Sequence, residues 1–133
     1  MGTASTKTIL SRVLFILYIC AVCLVCFASA SSIPNIQKTI FGLPSDKVIH
    51  FIMFAPFPIL AYLSFDHPSK KPGKSVLFVF LTMLAGAFIA ITTEVVQYYL
   101  PTRAMDINDF YADILAIGAV SIFVLITDLT RKK

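Results

Sequence analysis

Residues Ser75 to Leu100 read SVLFVFLTMLAGAFIAITTEVVQYYL, with no charge before Glu94. A helix needs roughly 20 apolar residues to cross the hydrocarbon of a bilayer, and this stretch exceeds that. Backbone N–H and C=O groups cannot stay unpaired in lipid, so a segment of this length and composition must span as a helix. Three other stretches follow the same logic: Ile9 to Ala30, Val48 to Phe65 and Phe110 to Thr127. The short alternating segments of a membrane barrel are absent. The sequence therefore predicts an all-α integral membrane protein, a four-transmembrane-helix bundle forming a single domain over residues 1–133.

At 133 residues, 58% hydrophobic and only 14% charged, the chain leaves no room for a soluble domain beside the spans. The net charge of +4 is a topology signal and not a nucleic-acid footprint, since no basic stripe interleaves with exposed aromatics. Lys7 precedes the first span and Arg12 lies in its first turn, Lys70, Lys71 and Lys74 join the second to the third, and Arg131, Lys132 and Lys133 close the chain. Only Lys38, Lys47 and Arg103 fall in the other two loops. Lys and Arg in short loops stay on the cytoplasmic side, so both termini are expected in the cytoplasm and the protein in the cytoplasmic (inner) membrane as a multi-pass chain.

The N-terminal stretch has a second reading. A basic start, an apolar run from Val13 to Phe27 and the triplet Ala28-Ser29-Ala30 also fit a cleavable signal peptide. In that case three helices would remain and the polar site described below would keep its side.

Several features read as packing. Cys20, Cys23 and Cys26 recur every third residue along the first span, where thiolate zinc ligation would require ionisation in lipid; small buried thiols are the better reading. Pro56 and Pro58 should kink the second span and free carbonyls for neighbouring helices to satisfy. Ala85, Gly86 and Ala90, facing Ala112, Ala116 and Gly118, offer close-approach surfaces between spans three and four or in a homo-oligomer. Pro68 to Gly73 reads as a turn-rich connector.

The polar residues at the outer ends of spans two to four need more than packing. Glu94 lies about six residues inside the end of its span, about 9 Å deep at 1.5 Å per residue. An ionised carboxylate at that depth costs on the order of a few kcal/mol, so Glu94 should face the bundle interior and have a partner. Gln97 and Tyr98 follow it by three and four residues, on the same helix face. Asp106, Asp109 and Asp113 have the i, i+3, i+7 spacing of one helix face at the start of span four. A helix N-terminus favours acids, which explains Asp106 or Asn108 as a cap and Asp109 in the first turn. It explains Asp113, deeper in the span, much less. At the start of span two, Ser45 or Asp46 can cap the helix, Lys47 can snorkel, and Asp46 lies four residues before His50, where it could orient the imidazole.

Three blocks of this set, Asp46-Lys47-Val48-Ile49-His50-Phe51, Glu94-Val95-Val96-Gln97 and Arg103-Ala104-Met105-Asp106-Ile107-Asn108-Asp109, closely resemble the VanZ-like family of integral membrane proteins. The resemblance covers about Ser45 to Val120. It departs from the family pattern at Asp113, usually Asn, which adds a charge to the site, and at Ala116, usually Gly, which tightens packing. It implies a role at the bacterial cell envelope, with a link to teicoplanin (glycopeptide) resistance in the family's named member, and supplies no reaction.

Three function classes follow. In the first, the chain binds or transfers an anionic membrane lipid or lipid-linked envelope precursor: Arg103, Lys47 and His50 meet a phosphate, with Asp46, Gln97, Asp106, Asp109 and Asp113 completing the ligand-binding set. In the second it is a membrane enzyme acting on a lipid phosphate or ester. Glu94 or His50 would then be the acid–base catalyst, Arg103 would stabilise developing negative charge, and the aspartates would hold either the His or a divalent cation, the one cofactor this reading admits. Neither an HExxH motif nor a phosphate-binding loop occurs, and the Asp106–Asp109 stretch has Tyr111 where a calcium loop requires glycine. In the third the polar set is an interhelical ion network that fixes packing, of modest net benefit because desolvation offsets attraction. Five outer acids against Lys38, Lys47 and Arg103 argue that such a network does not close by itself.

Overall fold

The computed structural model describes residues 5–28, 31, 38–65 and 71–131. Lys70, Lys132, Lys133, Ser29 and Ala30, used above for orientation and for the signal-peptide reading, lie outside the described residues. The elements are α1 (Thr6–Phe27), a two-stranded hairpin of β1 (Thr39–Ile40) and β2 (Leu43–Pro44), α2 (Ser45–Phe54), α3 (Pro56–Ser64), α4 (Pro72–Tyr99) and α5 (Ile107–Arg131). With α2 and α3 forming one broken span, four helical segments are long and apolar enough to cross a membrane.

The spans run longer than hydropathy alone indicates because polar first turns belong to the helices. Pro72 occupies the first turn of α4, where its missing N–H is no loss, so the connector ends earlier than the Pro68–Gly73 reading placed it. At the other end α1 stops at Phe27, where Ala28 turns to extended backbone (φ −61°, ψ 147°).

The polarity of the bundle is that of a lipid-embedded protein. Leu24, Phe88, Ile122 and Phe123 project outward, each more than half exposed. Buried positions on α4 are Ser75, Val79, Thr82, Gly86, Ala90, Thr93, Glu94 and Gln97, a stripe of small and polar residues at three- and four-residue spacing. Lipid tails are as apolar as leucine, so helices associate in a membrane through small residues and hydrogen bonds. The closest approach is at Gly86: a Cβ there would lie 3.0 Å from Ile117 Cδ1 and 3.1 Å from Phe57 Cε1. Ala90 and Ala116 are fully buried. Gly118, expected to share this surface, has open space where its Cβ would be, and Ala85 is exposed.

The span from Ser45 to Ser64 divides at Ala55 because Pro56 and Pro58 lack the N–H groups that would bond the carbonyls of Ile52 and Phe54. Between those two, the Met53 carbonyl accepts the Tyr18 hydroxyl of α1 at 2.6 Å. Farther along, Arg12 Nε donates to the Ser64 carbonyl and the Ser64 hydroxyl to the Ser11 carbonyl, both at 3.0 Å. Tyr62 donates to Asp128 of α5 at 2.6 Å. These bonds fasten α3 to α1 and α5 at the end of the bundle opposite Asp46, Glu94, Asp106, Asp109 and Asp113. The hairpin turns through Phe41 (φ 52°) and Gly42 (φ 77°), both left-handed as a tight two-residue turn requires. Glycine adopts this freely; for Phe41, whose ring is fully exposed, it is strained.

Candidate functional site

The α1 C-terminus, α2 N-terminus, α4 C-terminus and α5 N-terminus meet at one end of the bundle. Asp106 caps α5: its Oδ1 accepts the Asn108 N–H at 2.8 Å, and its carbonyl accepts the Asp109 N–H at 3.0 Å. This fixes the register that turns Asp109 and Asp113, one helical turn apart, toward α2. Both are buried, Asp113 completely. On α4, Glu94 is 1% exposed, and its Oε2 accepts the Asp106 N–H at 3.1 Å. The deep acid thereby holds the connection that carries the α5 cap.

Lys47 is the electrostatic centre of the upper layer. Its ammonium lies 2.6 Å from Asp46 Oδ2, 2.5 Å from Asp106 Oδ2 and 2.5 Å from Asp109 Oδ1. One cation thus serves three carboxylates. The Lys47 ammonium, and after it the Asn108 N–H, hold the Asp106 carboxyl below its ordinary value near 3.8.

One turn deeper, His50 Nδ1 lies 2.9 Å from Asp113 Oδ1, and Nε2 lies 3.5 Å from Asp109 Oδ2. A carboxylate oxygen accepts, so Nδ1 is the donor and Nε2 is left facing the Asp109–Glu94 side. Glu94 Oε1 and Asp113 Oδ2 are buried with no hydrogen-bond partner among the described residues.

Seven of the sequence-predicted residues therefore converge: Asp46, Lys47, His50, Glu94, Asp106, Asp109 and Asp113. The expected Asp46–His50 pair does not form. Asp46 is half-exposed and turns to Lys47, while the carboxylate on the imidazole is Asp113, whose depth leaves it no water. Tyr98 is 67% exposed and faces away from Glu94. Gln97 and Arg103 reach the site, but both also serve α1. Gln97 Nε2 donates to the Cys26 carbonyl at 3.0 Å and an Arg103 amino group to the Val25 carbonyl at 2.7 Å. These are last-turn carbonyls that no intrahelical N–H can reach. No sequence signal marks Val25 and Cys26, because their main-chain oxygens make the contact.

A cavity of about 470 Å³ opens beside this cluster. His50, Asp46, Asp109, Gln97 and Arg103 contribute its polar lining and Val25, Ile49 and Met53 its apolar lining. A separate groove of about 420 Å³, lined by Ile40, Leu43, Val48, Phe51 and Leu115, has Lys47 in its wall. Among the described residues, two sets of side chains are close enough to share a cation: His50 with Glu94 and Asp109, and Asp46 with Asp106 and Asp109. The second already surrounds the Lys47 ammonium, which occupies the place that the aspartate-held cation of the enzyme reading would need.

Fold and site together define a multi-pass membrane protein with a buried acid–imidazole–ammonium cluster at one end of a broken-helix bundle. The VanZ/LLP1 family model matches residues 14–128, and the chain belongs to that family. The match begins within α1, well before the motif resemblance at Ser45, so the first span is part of the family unit. Comparison with curated proteins and with solved structures gives no match.

Proposed function

We propose that this protein binds the headgroup of an anionic lipid or lipid-linked envelope precursor at the extracytoplasmic face of the cytoplasmic membrane. The observation that carries this reading is the two-sided cavity, whose polar wall from Arg103 to His50 meets an apolar wall of Val25, Ile49 and Met53 at one end of the spans. Arg103 supports it further. Its amino group is anchored on α1, while its buried Nε has no partner among the described residues, so a planar donor is held in place with bonding capacity for a phosphate. The groove beside Lys47 suits an acyl or prenyl chain. The Lys and Arg distribution supports an orientation with this end outside and both termini in the cytoplasm. Control of access to such a precursor is the step through which the teicoplanin resistance implied by the family resemblance would act.

Native mass spectrometry of the protein in mild detergent tests this. Wild type retains a phosphate-bearing lipid, Arg103→Lys retains about tenfold less because the bidentate fork is lost, and Arg103→Ala retains none. Bare wild-type protein with variants of equal stability overturns the reading.

A second reading, a membrane-embedded enzyme acting on a lipid phosphate or ester, is favoured by the Asp113–His50 pair. A carboxylate behind Nδ1, with Nε2 turned toward Asp109 and 3.5 Å from its Oδ2, orients the imidazole as a general base requires. Turnover lost in Glu94→Gln or His50→Gln with lipid retention intact would select it.

A further inference from the structure

We infer that His50, Glu94 and Asp109 form a binding site for a divalent metal ion of the zinc class at the deep end of the cavity. The inference builds on the reading of that cavity as a headgroup site, and supplies the cation that the headgroup would meet. Each of the three residues offers a ligand atom, and these atoms lie within 4.8 Å of one another.

Existing bonds decide which atoms are left for an ion. His50 Nδ1 is taken by Asp113, Glu94 Oε2 by the Asp106 N–H, and Asp109 Oδ1 by Lys47. What remains is His50 Nε2, Glu94 Oε1 and Asp109 Oδ2. Two of these are already spaced for ligation: Nε2 and Oδ2 are 3.5 Å apart. Ligands about 2.0–2.2 Å from a tetrahedral ion stand about 3.4 Å from each other. Glu94, one carboxylate oxygen of which lies within 4.8 Å of the other two ligand atoms, closes the triangle through Oε1. It is also the independent sign of a missing partner, because Glu94 is 1% exposed and this oxygen has no hydrogen bond among the described residues. A buried carboxylate oxygen left without a partner carries the full penalty of its lost hydration.

The surroundings fit a metal ligand set in two further respects. A ligating histidine characteristically donates its other ring N–H to a carboxylate, which fixes the tautomer and aims the free nitrogen; Asp113 does this for His50. This end of the bundle carries five carboxylates, Asp46, Glu94, Asp106, Asp109 and Asp113, of which three share the Lys47 ammonium, while Arg103 bonds the Val25 carbonyl. A divalent ion offsets most of that excess. One imidazole nitrogen with two carboxylate oxygens selects zinc or manganese over calcium or magnesium, which prefer all-oxygen shells. His50 and Asp109 both line the cavity, which provides an entry path and leaves the fourth position open to a phosphate oxygen.

The test uses the full-length protein in detergent and the metal alone, with no lipid added. Elemental analysis after purification without chelator should find about one equivalent of zinc or manganese. Cobalt(II) titrated into chelator-treated protein should give the intense visible bands of a tetrahedral site. Glu94→Gln and His50→Gln should each weaken binding about 100-fold or more, and Asp113→Asn, which acts only through His50, about tenfold. Because Gln matches Glu in shape, thermal unfolding of Glu94→Gln confirms that loss of metal is not loss of fold. Absence of bound zinc and manganese together with a featureless cobalt spectrum overturns the inference, as does cobalt binding undiminished in Glu94→Gln. Lipid retention is read separately by native mass spectrometry with and without chelator. Lipid kept by metal-free protein that cannot take up cobalt removes the metal site and leaves the headgroup reading standing. Metal bound with no lipid ever retained does the reverse.

Discussion

His50 Nδ1 and Asp113 Oδ1 lie 2.9 Å apart, joining α2 to α5 across 63 positions of sequence, with the Asp113 side chain fully buried and that of His50 only 11% exposed. Asn in place of Asp113 keeps an oxygen for the imidazole N–H, whereas Ala leaves that donor buried and unpaired. Asp113→Ala should therefore cost about 1–3 kcal/mol, and Asp113→Asn markedly less. Thermal unfolding in a fixed detergent checks the order, and equal losses would show that the pair does not hold the helices.

Lys47 serves three carboxylates, so its removal acts on all of them at once. Lys47→Met should destabilise by about 2–3 kcal/mol, below the figure for a fully buried pair because Asp46 and Asp106 remain partly in solvent. Lys47→Met combined with Asp109→Asn should recover part of the loss. A double-mutant cycle measures the coupling.

The Asp106 carboxyl is held below its ordinary value near 3.8 in the folded protein. A depressed carboxyl contributes stability that is complete above that value and is lost as pH falls from there through the folded-state value. Melting temperature against pH should thus drop less steeply below about pH 4 in Asp106→Asn than in wild type. Identical acid limbs would remove Asp106 from the account.

Gly86 has Ile117 and Phe57 side chains at 3.0–3.1 Å from where a Cβ would stand. Those side-chain ends can shift by a few tenths of an ångström for Gly86→Ala, so its cost should be small. Gly86→Leu must part α4 from α5 and α3 and should cost about 1–3 kcal/mol or more. Unfolding in mixed micelles separates the two.

The four spans were legible in the residues alone. Membrane thickness and backbone hydrogen bonding leave an apolar stretch such as Ser75–Leu100 no other form. The sequence also marked the break at Pro56 and named the residues of the polar cluster, because charge inside a span demands an explanation wherever it occurs. The Phe41–Gly42 hairpin escaped, since Phe is a poor left-handed residue and only Gly42 carried a turn signal.

Partnership within the cluster was decided by tertiary structure. Local spacing offered Asp46 to His50, but Asp46 sits in the first turn of α2 beside solvent, and the approach of α5 brings the deeper Asp113 to the ring. Gln97 and Arg103 show the same limit: the carbonyls of Val25 and Cys26 that they satisfy exist as acceptors only because α1 ends there, and a main-chain oxygen has no residue type to read. Side-chain chemistry is written locally, while which acid meets which base depends on how helices many residues apart are packed.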